Sequence, residues 1–544
     1  MKKFQFMALL LAAALSTACQ RSLDREDSQS FDGEKGYVSL SLNLPTVSGT
    51  KANDEFDDGD ESEYNVNDAV IAFFYGADEA TAVCKYAISI DKADGIFANP
   101  ADDNITSTFV TGAVEVPAKG ANENVYALAV LNPVNDLMSV NAEGDLTLNG
   151  NSEDLTMADF QMALDASALA GPAKGFMMTN APVYDATDGI VTLTPVTVHT
   201  EKSHVENADP DKIYVERVEA KVTLEVSKDA IDNTLTVEDG TFADAKVKID
   251  GWYLQNTNRK YYPVRKTNEQ WLNADNYGTV GDDNRFVGAY LPQRIYWAED
   301  HNYNDAVSDE NLASEFNIVT DEPASWNAVG DRAYCAENTT TAKVMNKKQL
   351  TGVLIRATYT PSGLREGESF LITGQFNTVY SETEFKEWVL ATLSLASGTV
   401  AIIAEDGAAV TDAEGLKDLI TINGSAPADD QAAELLAAAD NSIKYYQEGV
   451  SYYYSSIIRH FDYGQTPLAD GGVSDEGEYD ENKHLGRYGV VRNNWYQLTV
   501  NSVSGPGEPE IPEIPDEPAD ARTSYINCEI NVLSWAVRKQ EIDL

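Results

Sequence analysis

The sequence predicts an all-β fold of β-sandwich domains with a few short helices, and three observations support this. Short runs rich in β-branched and aromatic residues recur between Gly, Pro, Asn and Asp boundaries: DAVIAFFYG, YAISID, STFVTGAVEVP, VYALAVLNP and IVTLTPVTVH. Near the N-terminus, YVSLSLNLP alternates Val38, Leu40, Leu42 and Leu44 with Ser39, Ser41 and Asn43 until Pro45 stops the run, the pattern of a half-buried strand. At the other end, residues 525–544 alternate again, with Ile526, Cys528, Ile530 and Val532 on one face. After Val532 the phase flips to Leu533, Trp535 and Val537, which predicts a bulge, a bend or a switch of sheets. A proline-rich spacer, GPGEPEIPEIPDEPADA at 505–521, separates this last strand from the rest. Prolines stiffen it toward a rod of about 3 Å per residue, so the strand can complete its own sheet or another chain's.

The 544 residues leave room for two to four domains, and 43% hydrophobic residues suit folded cores. Acidic residues outnumber basic ones by 88 to 39, a formal net charge of −49, which argues against nucleic acid and anionic lipid as partners. Lys2 and Lys3 precede an apolar run over 4–15 that ends in Ser-Thr-Ala-Cys, a secretory signal too short to span a membrane. Its ending resembles a bacterial lipoprotein signal, with Cys19 as the lipidated first residue. Cys84, Cys335 and Cys528 are too scattered for a disulfide framework or a metal site and read as buried small hydrophobes.

Taken in order, residues 24–36 are a polar tether, followed by the Val38–Leu44 strand. Residues 54–63 form an acidic run that cannot bury a core, and Lys51 is the one basic residue between that strand and Lys85. A basic residue in an exposed loop is a protease site or an ordinary loop lysine. Residues 66–198 read as sandwich strands with a helical insert over 151–168, and IYVERVEAKVTLEV (213–226) reads as one further strand. The domain boundary is placed near 227–244. Beyond it come two strands around 255–259, an irregular section over 268–333 and a short helix near 429–439. A tyrosine-rich hairpin is expected to turn at 447–449.

Sequence signatures of catalysis are missing: no nucleophile elbow, phosphate loop, dinucleotide fingerprint or zinc-protease motif is present. His199 and His204 lack metal-site spacing, and the acidic loops lack the calcium-loop pattern. The reading is of a protein that is not an enzyme, with no catalytic residue, cofactor or metal.

GRYGVVRNNWYQLTVNSVSGPGEPE, the Pro/Glu/Asp spacer and INVLSWAVRKQEIDL together resemble the C-terminal region of the Mfa-type fimbrillins of Bacteroidales. VERVEAKV (215–222), AYCAENT (333–339) and YYYSS (452–456) are similar to further family blocks. The resemblance implies two transthyretin-like β-sandwich domains, at 52–235 and 236–504, with a hinge over 505–521 and a detachable donor strand over 522–544. It also implies a signal peptide over 1–18 and a propeptide over 19–51 lipidated at Cys19, held at the outer membrane as a precursor. A maturation protease then cuts between Lys51 and Ala52, where the family carries an arginine, and the strand bearing Val38, Leu40, Leu42 and Leu44 leaves. The donor strand of a neighbouring copy fills the groove with Ile526, Cys528, Ile530 and Val532, and Leu533, Trp535 and Val537 add a second contact face. The implied partners are copies of the chain in an extracellular fimbrium, anchor and tip subunits, the protease and a host or bacterial receptor. The alternative is a monomeric surface lipoprotein that binds glycan or host protein.

Overall fold

The computed structural model describes residues 35–44, 61–63, 65–94, 108–134, 137–169, 171–280, 283–289, 292–304, 306–374, 377–455, 458–462, 464–466, 479–520 and 526–534. It is an all-β protein of two sandwiches with short helices. The first is built from β1 (Lys35–Asn43), β2 (Asp68–Gly76), β3 (Val83–Asp91), β4 (Thr108–Pro117), β5 (Asn124–Leu131), β6 (Met178–Asn180) and β7 (Asp211–Arg217). Their spatial order is β3-β2-β5-β6-β7-β1-β4. β7 serves two neighbours, pairing β1 over Asp211–Tyr214 and β6 over Val215–Arg217. Every residue from Ala69 to Tyr75 is buried, so β2 is covered on both faces. Ile71 and Phe73 join the inner core with Leu40, Leu131 and Ile213, while Ala72 and Phe74 pack on Leu155, Phe160 and Val264.

The second sandwich contains β8 (Ala220–Val226), β9 (Thr234–Thr236), β10 (Lys246–Gln255), β11 (Arg332–Cys335), β12 (Gly352–Thr360), β13 (Val450–Ser455), β14 (Asn494–Val503) and β15 (Ile526–Ser534). These make two sheets of four, β11-β8-β14-β15 and β9-β10-β12-β13. Val222, Leu224, Tyr496 and Leu498 from one meet Ile249, Trp252, Ile355 and Tyr453 from the other in a common core. Between β12 and β13 lies a smaller α/β unit. Its helices Glu382–Thr392, Ala413–Leu419 and Asp429–Ala438 pack Phe385, Leu416 and Leu435 on Leu371 and Tyr445.

Local readings of the sequence fail where the folded partners are remote. The strand expected over 213–226 is two strands, β7 and β8, in different sandwiches, and the chain crosses between them at Val218–Glu219. That crossing lies ahead of the boundary expected at 235/236. The helix expected over 151–168 is instead a pair of short 3-10 turns, Met157–Gln161 and Ala166–Ala168. Thr156 and Asp159 form a capping box that starts the first turn and aims Phe160 into the core. The tyrosine hairpin is also absent. Ile443–Tyr446 pairs with Phe370–Thr373, whereas β13 pairs with β12. The chain does turn at 447–449, with Glu448 and Gly449 at φ 51° and 75°, but it turns from one sheet to another. Any side chain on Gly449 would meet the Tyr359 carbonyl oxygen.

Buried charge cements the two sandwiches. Glu63 is fully buried and its carboxylate takes the Lys221 ammonium at 2.9 Å and the Tyr334 hydroxyl at 2.5 Å. The Arg217 Nε donates to the Glu63 carbonyl at 2.7 Å. Lys221 also lies 3.9 Å over the Trp495 ring. Nearby, Arg265 pairs with Glu216 and Arg492 with Glu337, both at 2.7 Å. Lys221→Met leaves Glu63 without its closest cation and should cost about 3 kcal/mol, read as a lowered urea midpoint.

Glu219 stands at the crossing itself. One oxygen accepts the Gly171 backbone N–H, the other has no partner among the described residues, and burial pushes the carboxyl from 4.5 up to about 8. The unfolded chain gives up this proton near 4.5, while the fold keeps it to about 8. Its contribution to stability is therefore complete below 4.5 and falls as pH rises through that window. Glu219→Gln should flatten the dependence of unfolding free energy on pH between about 5 and 8.

Candidate functional site

The first and last strands differ in how many of their edges are used. β1 runs between two partners, parallel to β7 over Leu40–Asn43 and antiparallel to β4 over its whole length. Its early half gains a further partner where Tyr37 and His199 exchange backbone hydrogen bonds of 2.8 Å each. Lys35 pairs with Glu115 at 2.5 Å on the exposed rim. Opposite Leu40 the ladder carries a bulge, because Ser39 faces Ala113 while Ser41 faces Val110. Thr111 and Gly112 fill the gap, Gly112 taking φ 69° and the Thr111 hydroxyl accepting the Leu40 N–H at 3.1 Å. The alternation read from the sequence places Val38, Leu40, Leu42 and Leu44 together in the inner core, none more than 2% exposed. Each contributes roughly 1.5–3 kcal/mol by burial, so removing β1 opens an apolar groove with two unpaired edges.

Among the described residues, β15 has a neighbour on one side alone. It runs antiparallel to β14, from Ile526 opposite Val503 to Ser534 opposite Asn494, at the edge of its sheet. The bulge expected at Val532/Leu533 is not there. The ladder passes that point unbroken, Val532 facing Tyr496 and Leu533 facing Trp495, and the register shifts instead at Asn501 on β14. The partner strand carries Tyr496 and Trp495 at this point. The backbones of Ile526, Cys528, Ile530, Val532 and Leu533 thus lie in β15, and their side chains are outside the description. Cys19, Lys51, Ala52, Trp535 and Val537 lie outside the described residues.

The spacer, expected as a free rod, lies on the body. Glu508 exchanges backbone hydrogen bonds of 2.8 Å with Tyr452, and the Gly507 N–H reaches the Ser451 hydroxyl at 2.9 Å. Tyr446 and Tyr453 donate their hydroxyls to the carbonyls of Gly507 and Gly505 at 2.8 and 3.0 Å. Burial holds the Tyr453 phenol well above its ordinary value, so it remains a donor. Lys444 pairs with Glu508 at 2.7 Å, and Glu510 accepts the Ala409 N–H at 3.0 Å. Farther along, the Lys347 N–H bonds the Glu517 carbonyl and its ammonium the Glu517 carboxylate, each at 3.0 Å. Asp520 closes the run, taking Arg487 and the Tyr488 hydroxyl at 2.5 Å each while its N–H reaches the Tyr479 hydroxyl at 3.0 Å. None of these anchors was read as functional from the sequence. Arg487 and Tyr488 do fall inside the GRYGVV block, which is the one signal that marked them.

Residues 444–541 match the family model described as major fimbrial subunit protein type IV, fimbrillin, C-terminal. Among solved structures the chain is similar to a candidate cell adhesion protein from Parabacteroides distasonis ATCC 8503, at 13% identity over 93% of this chain and 99% of that one, TM-score 0.39. It is similar to another from Bacteroides eggerthii DSM 20697, at 11% identity over 93% and 98%, TM-score 0.34. A third is the C-terminally truncated tip fimbrial protein Mfa3 from Porphyromonas gingivalis, at 12% identity over 92% and 100%, TM-score 0.31. No curated protein matches. Leu40→Ala, deep in the first strand, should destabilise the protein by about 3 kcal/mol in chemical denaturation. By residues 444–541, which take in β13, β14 and β15, the chain is similar to the C-terminal region of the fimbrillin family of fimbrial subunit proteins.

Proposed function

We propose that this chain is a stalk subunit of a surface fimbria that polymerises head to tail by strand exchange after proteolysis. The observation that carries the reading is the difference between β1, paired on two edges and buried on one face, and β15, paired on one edge alone. Cleavage between Lys51 and Ala52 severs β1 from the body. Once β1 has left, its groove offers an incoming strand two ladders and an apolar floor, whereas β15 in its own sheet has one ladder. Ile526, Cys528, Ile530 and Val532 match the period of Val38, Leu40, Leu42 and Leu44 and fill the floor. Leu533, Trp535 and Val537 add contacts beyond it, with Trp535 as the anchor.

In this scheme the chain is exported by residues 1–18, lipidated at Cys19 and held at the outer membrane until cleavage releases it into the fimbrium. Because donor and acceptor sites are different surfaces of one subunit, the contact is heterologous and does not close. Anchor and tip subunits end the polymer, and the assembled stalk supports adhesion. Limited trypsin digestion of the purified precursor should yield ladders on a non-boiled gel. Lys51→Ala should remove them, and so should deletion of residues 525–544. Ladders that persist in either variant refute the corresponding step.

A further inference from the structure

The spacer is held at three places along its length: at Gly507–Glu508 by β13, at Glu510 by Ala409, and at Glu517–Asp520 by Lys347, Arg487 and Tyr488. We infer that it stays on its own subunit during exchange, that Asp520 is the pivot, and that the surface around Asp520 docks a second copy of this chain at the Lys35 end of its groove. The inference rests on the strand exchange proposed above and adds where the moving arm begins and which surfaces meet.

The argument compares what each release would leave behind. Arg487 has no exposed surface, and its carboxylate partner is Asp520. Lifting Asp520 away would leave a buried guanidinium without that charge, which proteins tolerate poorly. Lifting Gly505 and Gly507 would strip acceptors from the hydroxyls of Tyr453 and Tyr446, both buried. β15, by contrast, leaves by parting one ladder at a sheet edge. The arm is then residues 521–544.

Its leash is short. The six Cα steps from Asp520 to Ile526 reach at most about 20 Å, so the donor's Asp520 must sit within that distance of Ile526 in the neighbour's groove. A strand that takes the polarity and period of β1 places Ile526 where Val38 stood, opposite Val114 and next to the Tyr37–His199 bridge, with the chain before it leaving past Pro117 at the Lys35 end. The acceptor rim is therefore the turn after β4, with Lys119 exposed, and the helical turn Lys202–Val205. The donor rim is the cleft bounded by Lys343, Met345, Tyr479, Asp516 and Pro518. A spacer free to swing would need no such contact between the bodies.

Two engineered disulfides separate the possibilities, in a background with Cys84 and Cys335 changed to Ala; Cys528, part of the donor face, is kept, and its own cross-links are read from the parent without added cysteines. Asn346→Cys with Pro518→Cys joins facing residues of the spacer bridge, and Gln497→Cys with Asn531→Cys joins facing residues of β14 and β15. Facing residues in antiparallel pairs lie about 4.5–5.5 Å apart at Cα, within disulfide range. After protease treatment, the oxidised 346–518 protein should polymerise like its reduced form, and the oxidised 497–531 protein should lose polymerisation until reduced. Loss in both overturns the pivot and leaves strand exchange standing; loss in neither overturns strand exchange and the pivot with it. Cysteines at Lys343 and Lys119, treated with a bis-maleimide spanning about 15 Å, should then join adjacent copies in the polymer and not in the precursor. A polymer without that cross-link overturns the docking surface.

Discussion

A β-strand carries hydrogen-bonding groups on two edges, and the structure distributes them unequally between its first and last strands. β1 spends both edges and a full apolar face inside the first sandwich. β15 spends one edge at the rim of the second. The remaining architecture keeps this inequality in place. β7 divides its length so that β1 has a parallel neighbour where a continuous pairing with β6 would have excluded it. The Thr111–Gly112 bulge lets β4 follow β1 past Leu40 without losing the inward phase of Val38 and Leu42.

Buried charge has a second part in the design. Glu63, Lys221, Arg217, Glu216, Arg265, Glu337 and Arg492 gather where the sandwiches meet, in a chain whose surface is strongly acidic. Ion pairs in such a place contribute less to stability than to fixing one arrangement, since each misaligned partner leaves an uncompensated charge. Glu63 is notable because it follows Lys51 by 12 residues in the sequence. Its attachment to Lys221, Tyr334 and Arg217 holds the chain to the body on the C-terminal side of Lys51.

The strand pattern was legible in the sequence wherever the deciding neighbours lie on one inward face. Val38, Leu40, Leu42 and Leu44 alternate because one side meets the core, and the structure buries all four. The GRYGVV and spacer blocks likewise pointed to the region that the family model matches. Legibility ended where long-range pairing overrides local signals. Tyr446 and Val450 flank a convincing turn, yet their strands belong to different sheets. Residues 213–226 keep one unbroken strand pattern across the crossing at Val218–Glu219, because Glu216, Arg217, Glu219 and Lys221 are buried there with remote partners. The prolines of the spacer predicted a rod, and the structure lays it on the body. Lys347 and Arg487, which hold it, lie 170 and 33 residues from Glu517 and Asp520, a distance at which composition says nothing.

The crossing at Val218–Glu219 has a mechanical consequence. If the subunits assemble by the strand exchange proposed above, tension enters at the groove between β4 and β7 and leaves beyond Asp520. Within one subunit the force must pass from β7 along the backbone into β8, then sideways through the parallel ladder from Lys221–Trp495 to Val226–Val500. Parallel strands pulled along their length share the load across all their hydrogen bonds at once, whereas a ladder peeled from one end breaks them singly. Arg217 and Lys221, on either side of the crossing, are both tied to Glu63, which makes this short segment a braced joint rather than a tether.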